Sequence, residues 1–144
     1  MNETDHTESR AALLPNDACD AALLANVRPA DWTNPQPAPS YNLVVIGAGT
    51  AGLVTAAGAA ALGARVALVE KNFMGGDCLN FGCVPSKALL RSAHFYSDLH
   101  HAPRFSGSAP VSADANFAAA MMRMRRLRAR ISHHDSAQIG RAHV

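Results

Sequence analysis

From Tyr41 onward the apolar residues fall into blocks whose spacing changes from one to the next. YNLVVIG (41–47) is a continuous, β-branched-rich run closed by glycine, which predicts a buried strand. TAGLVTAAGAAALG (50–63) is rich in helix formers and ends at Gly63, so it predicts a tightly packed helix. ARVALVE (64–70) predicts a second strand. Strand, helix and strand within about thirty residues make a βαβ unit with parallel strands and a right-handed crossover, an α/β fold. Ser86 to about His100 reads as a further helix and HAPRFSGSAP (101–110) as a loop. Between Asp114 and Ser136, Phe117, Met121, Met124, Leu127 and Ile131 recur at spacings of 4, 3, 3 and 4, the stripe of one long helix.

The first forty residues follow other rules. Residues 1–9 are polar and predict disorder. The segment from Arg10 to Val27 repeats AALL at 11–14 and 21–24, short helical turns interrupted near Pro15. RPADWTNPQPAPS (28–40) holds four prolines in thirteen residues and predicts an extended linker, with Trp32 anchoring it to the domain. Domain organisation follows: an extension and linker over 1–40, a folded unit over 41–137, and a tail over 138–144.

At 144 residues, 49% of them hydrophobic and 17% charged, the chain has the length and composition of one globular domain. A net charge of +2 gives no reason to expect nucleic acid or a membrane as partner. No apolar run reaches the roughly 18 residues that crossing a bilayer needs. The start, MNETDHTESR, lacks the basic and apolar regions of a signal peptide, so a cytoplasmic protein is expected. Arg123, Arg125, Arg126, Arg128 and Arg130 read as a solvated helix face rather than a phosphate-binding surface.

Two segments carry chemistry. GAGTAG places Gly47, Gly49 and Gly52 in G-x-G-x-x-G spacing, directly after a strand and opening a helix. Gly47 permits the tight turn, Gly49 leaves room for a pyrophosphate and Gly52 lets helix and strand backbones approach. The anion would sit on the helix N-terminus. Glu70, 18 residues beyond Gly52, is suited to hydrogen-bonding a ribose diol. This pattern does not separate FAD from NAD.

GGDCLNFGCVPSKALL (75–90) holds Cys78 and Cys83. A zinc site lacks a second ligand pair, and His94 or His100 would complete one only by coincidence. Two buried unpaired thiols are a further reading. A redox couple fits a reducing compartment, where structural disulfides are rare. Lys87 lies one helical turn past Cys83, and Pro85 suits a first turn, so a helix N-terminus beside Cys83 would favour its thiolate. Cys19 reads as an incidental small apolar residue.

Together, GAGTAG…E and GGDCLNFGCVPSK resemble the class I flavoprotein disulfide reductases, a pyridine nucleotide-disulfide oxidoreductase family that includes dihydrolipoamide dehydrogenase, glutathione reductase and mercuric reductase. The resemblance covers roughly residues 41–136. It implies a Rossmann-like FAD-binding domain with a parallel sheet, present only in its N-terminal part. Its implied roles are Gly47, Gly49, Gly52 and Gly76 around FAD, Glu70 on the adenosine ribose, and Cys83 as the thiolate facing the flavin. Cys78 would be the thiol that exchanges with substrate, and Lys87 would stabilise reduced flavin. Electrons would pass from NAD(P)H through FAD to the disulfide and on to a disulfide or Hg(II) substrate, in a full-length homodimer.

GGDCLN.GCVPSKALLRSA with MRMRRLRARIS.HDSA is most similar to mercuric reductase-like sequences. Asp77 departs from the threonine of many relatives, and the N-terminal C-x-x-C metal-binding domain of many mercuric reductases is absent. A dihydrolipoamide dehydrogenase-type enzyme is the alternative. From different classes come a dinucleotide-binding module whose thiols capture a soft metal, and a flavin monooxygenase relative that needs neither cysteine. IGRAHV (139–144) is the translation of a common sequencing adapter, so a truncated reading frame with a non-native tail is expected. Such a chain would expose a sheet edge, be unstable and show no turnover.

Overall fold

The structure is a computed structural model and describes residues 15–107, 109 and 113–141. The expectations for residues 1–9 and for AALL at 11–14 lie outside them. The element order is α1 (Ala18–Val27), β1 (Leu43–Ile46), α2 (Thr50–Ala61), β2 (Val66–Val69), α3 (Gly76–Asn80), α4 (Cys83–His101), α5 (Pro103–Ser106) and α6 (Phe117–Ile131). A 3-10 turn, Ala137–Arg141, follows on residues that overlap the expected tail.

The βαβ unit is present. β1 and β2 pair in parallel, Leu43 opposite Val66 through Ile46 opposite Val69, and α2 crosses between them. Gly63, at φ +88°, ends the crossover helix in the left-handed conformation that glycine adopts without steric cost. β1, however, is not the buried strand its composition predicts. Leu43 and Val45 are half-buried under α2, while Val44 and Ile46 are 57% and 86% exposed. The reason is geometric: side chains alternate across a strand, and among the described residues only one face of this two-stranded sheet is covered.

The core lies elsewhere. Leu23 and Val27 of α1 pack with Phe73 and Leu79, bordered by Leu24, Met74, Val84 and Ile131. α1 begins after Pro15, as the sequence suggests, and holds the second AALL; Asp17 accepts from the amides of Cys19 and Asp20 while Asp20 reaches back, a capping box. The segment from Pro29 to Asn42 has no regular structure. Trp32 is half-buried there, and its indole donates to Asn34 within the same segment.

Three other boundaries move. α4 begins at Cys83 rather than Ser86, with Pro85 inside its first turn, where no intrahelical donor is needed. The expected loop at 101–110 contains the short α5. α6 starts only at Phe117, capped by the Asn116 side chain on the Ala119 amide, and it ends at Ile131. Met124 is buried in its stripe, whereas Phe117 in the first turn is 73% exposed.

The arginine face is a correction. Arg123 donates to the Ala88 carbonyl of α4, Arg125 pairs with Asp17 at 2.9 Å, and Arg128 is buried against Asp20 at 2.9 Å. Arg123, Arg126 and Arg130 nevertheless remain exposed, so the correction applies to Arg125 and Arg128. Guanidinium groups stand over neighbouring elements because α6 packs on α1 and α4 with a stripe too narrow to keep its flanking residues in water.

Candidate redox and nucleotide site

The glycine loop is set by two close approaches. A Cβ at Gly52 would overlap the Gly47 carbonyl oxygen and lie 3.3 Å from Val45 Cγ1, so helix and strand touch only because that atom is missing. A Cβ at Gly76 would come within 2.7 Å of Gly49 Cα. Contact between Gly49 and Gly76 therefore joins the phosphate loop to the start of the cysteine segment. The Gly75 amide donates to the Ala48 carbonyl at 2.8 Å beside it. α2 opens at Gly49 without a side-chain cap, leaving its first amides directed at an open groove of about 640 Å³. Gly47, Gly49, Thr50, Gly52, Asp77 and Cys78 are among the residues lining it.

Glu70 folds back onto this loop. Its carboxylate accepts from the Ala48 amide at 2.7 Å through Oε2 and from the Asn72 amide at 2.8 Å through Oε1. The acid at the end of β2 thus braces the turn, and each oxygen retains a lone pair for a sugar hydroxyl.

Cys78 lies in α3, and Cys83 is the first residue of α4. Both are free thiols, Cys78 half-buried and Cys83 exposed, and the Cys83 thiol donates a hydrogen bond to Cys78. That bond, a second from Thr50, and the charge of Lys87 hold Cys78 below the usual thiol value of 9.0. Cys83 is pushed above 9.0 by the same bond to Cys78, then by partial burial, with Lys87 opposing. The opposite directions describe one shared proton: when one of the two sulfurs ionises, Cys78 is favoured over Cys83. The uncapped N-terminus of α4 and Lys87 stabilise that negative charge on the pair.

The structure brings Gly47, Gly49, Gly52 and Cys78 around one groove, sets Gly76 and Glu70 against the loop, and places Cys83 on Cys78. Lys87 acts on both sulfurs through its charge; it is exposed on α4 and does not line the groove. Three contributors escape the glycine and cysteine patterns. Thr50 sits in the variable part of G-x-G-x-x-G. Asn80 is 1% exposed and donates to the Met74 and Gly76 carbonyls at 3.0 and 2.8 Å, tying the segment into a loop. Arg128 donates to the Asn80 carbonyl at 2.9 Å from forty-eight residues away, where no local pattern points to it. Among the described residues, no group of three or more His, Cys, Asp or Glu is placed to hold a metal ion, and no helix is long and apolar enough to cross a membrane.

The groove suits an extended dinucleotide such as FAD. It offers uncapped helix amides for phosphate, an acidic residue beside the loop, and Cys78 at one wall with Cys83 behind it. Similarity to known proteins points the same way. The chain is 52% identical to a dihydrolipoyl dehydrogenase of Bacillus subtilis (strain 168) over 68 residues, 47% of this chain and 14% of that protein. It is 41% identical to the dihydrolipoyl dehydrogenase of Rhizobium etli over 95 residues, 66% of this chain and 20% of that protein. With the Trypanosoma brucei brucei dihydrolipoyl dehydrogenase it shares 54% identity over 61 residues, 42% of this chain and 13% of that protein. The chain therefore spans about a fifth or less of these relatives. Their names favour the dihydrolipoamide alternative over the mercuric reductase-like one. Residues 41–140 match the family described as pyridine nucleotide-disulphide oxidoreductase, whose members use FAD and NAD(P)H. With that match covering more than half of its length, the chain belongs to the pyridine nucleotide-disulphide oxidoreductase family.

Proposed function

We propose that this chain supplies the FAD-binding loop and the dithiol of an NAD(P)H-dependent thiol–disulfide oxidoreductase of the dihydrolipoyl dehydrogenase type. One observation carries the reading: Cys78 lines a groove whose floor is an uncapped, glycine-lined helix N-terminus, and Cys83 lies against it. The relatives' name supports a dithiol carrier as substrate class; nothing comparable supports Hg(II). A full-length homodimer in the cytoplasm belongs to the same proposal.

Gly47, Gly49 and the first amides of α2 would hold the pyrophosphate, Glu70 the ribose, and Gly76 the close approach that keeps the cysteines beside the loop. FAD, when bound, supplies two-electron exchange with the nicotinamide. The chain's own contribution is the dithiol. Cys78, as thiolate, attacks a substrate disulfide and forms a mixed disulfide, while the departing sulfur takes a proton. Cys83 then gives up its proton and displaces the second substrate thiol. Cys78–Cys83 is left oxidised and the substrate carries the two electrons. The reverse sequence oxidises a dithiol substrate. Lys87 keeps the intermediate thiolates charged.

The test uses the purified 144-residue chain. Oxidised glutathione should remove two hydrogens, read by mass, and leave neither Cys78 nor Cys83 open to alkylation. Added FAD should lose fluorescence on binding. Two cysteines that stay independently alkylatable, together with FAD that stays free in solution, would overturn the reading.

A further inference from the structure

Residues 17–28 precede the stretch that matches the family, yet they reach the cysteine segment and the turn leading into it at three places. The Met74 amide donates to the Val27 carbonyl at 3.0 Å. Arg28 donates to Asn72 at 3.2 Å and lies 5.8 Å over the Phe73 ring. The third connection is buried throughout: Asp20 is 0%, Arg128 8% and Asn80 1% exposed. Asp20 Oδ1 accepts from Arg128 Nη2 at 2.9 Å, and Arg128 Nη1 donates to the Asn80 carbonyl at 2.9 Å.

Asn80 is the last residue of α3. Cys78 lies two residues before it, and only Phe81 and Gly82 separate it from Cys83. Fastening Asn80 therefore fastens both ends of the short span that sets the sulfur–sulfur distance. Arg128 Nε and Asn80 Oδ1 are buried without a hydrogen-bond partner, so the guanidinium depends on the Asp20 carboxylate for its charge compensation. Asp20 cannot be replaced by its amide without loss. Its second oxygen accepts from the Asn16 and Asp17 amides at 3.0 and 3.3 Å, and an asparagine would turn one of its two ends into a donor.

We propose that α1 is a positioning element for the dithiol: Asp20, acting through Arg128 and Asn80, fixes the separation of Cys78 and Cys83 and so sets how readily they close to a disulfide. This rests on the reading of the pair as a redox couple. In closing, Cys78 and Cys83 each lose a proton and together two electrons as the S–S bond forms. Glutathione disulfide takes both and is cleaved to two glutathione thiols.

The 144-residue chain is equilibrated in glutathione buffers of graded ratio, quenched, alkylated and counted by mass. Asp20→Asn should lower the closing equilibrium about tenfold, the size expected when reacting groups lose their alignment. Arg126→Gln, on the exposed side of α6, should leave it within about twofold. A merely stabilising role for Asp20 would not move this equilibrium in chains that remain folded. The unmodified chain gives a second reading. Since coupling is reciprocal, closing the disulfide should slow hydrogen exchange at the α1 amides of Leu24, Val27 and Arg28. The proposal is overturned if Asp20→Asn keeps its far-UV circular dichroism and an unchanged equilibrium. Should that variant not fold, equal α1 exchange in the oxidised and reduced chain overturns it. A pair that closes in no buffer overturns the redox reading, and this inference with it.

Discussion

The sheet half, β1–α2–β2, and the helical half, α1 with α3, α4 and α6, are stabilised in different ways. The first joins neighbours in sequence and leaves one face bare, with Ile46 at 86% exposure. The second joins residues more than a hundred positions apart, through a fully buried acid and a core of Leu23, Val27, Phe73 and Leu79. The phosphate loop belongs to the loosely packed half, and the sulfur pair is held by the well-packed one. The groove lies along their seam, where Gly49 meets Gly76. The glycine loop and the sulfur pair thus rest largely on separate structural supports, joined by the Gly49–Gly76 contact and by Thr50.

The sharpest way to break the contrast is Arg128→Ala, which strands Asp20 as an unpaired buried charge. Removing one partner of such a pair costs about 3–5 kcal/mol, a large part of what a small domain has, and urea unfolding should show it. Gly52→Ala acts on the other half. Its methyl overlaps the Gly47 carbonyl, so the loop shifts at a cost of about 1–3 kcal/mol; FAD titration should weaken at least severalfold while the glutathione equilibrium holds.

Cys83→Ala removes the largest influence holding Cys78 low, so the Cys78 value returns toward 9.0. Alkylation of Cys78 near neutral pH should then slow, and its rate profile should move to higher pH. Thr50→Val should do the same to a lesser degree. Asp17 has its carboxyl held below the ordinary 3.8 by the Asp20 amide first, opposed by burial and aided by the Cys19 amide and Arg125. A depressed acid stabilises the fold above its unfolded value. That contribution is lost as pH falls below 3.8 through the folded value, so Asp17→Asn should flatten the acid limb of a stability–pH curve. The smallest effect is Ile46→Ser, within about 0.5 kcal/mol because the side chain is already in water. A larger loss would show that the sheet's bare face is covered in solution.

What the sequence disclosed divides along the same seam. The βαβ unit was legible because its cues are local: a β-branched run, a glycine turn, a helix closed by Gly63. The motif that brought Cys78 and Cys83 into view carried its own spacing. β1 was misjudged as buried because composition reports what a strand can bury, not how much neighbouring chain is there to cover it. Arg125 and Arg128 of α6 depart from a solvated face for a related reason. Charge at helical spacing reads as a wet surface unless the acids that meet it are known, and Asp17 and Asp20 lie 108 residues from their partners. α3 was too short to show a period. The Asp17–Asp20 cap at the start of α1 is local, an acid three residues after the N-cap acid, and is legible in the sequence.

The span between Asp20 and Arg128 also orders events during synthesis. The βαβ unit can pair its strands once residue 69 has cleared the ribosome, since every contact it needs is already made. The thiols emerge soon after, but the guanidinium that secures their loop leaves only after nearly fifty further residues. Throughout that interval the segment between the nascent cysteines lacks its distant anchor, and the arrival of α6 is what fixes Asn80 between them.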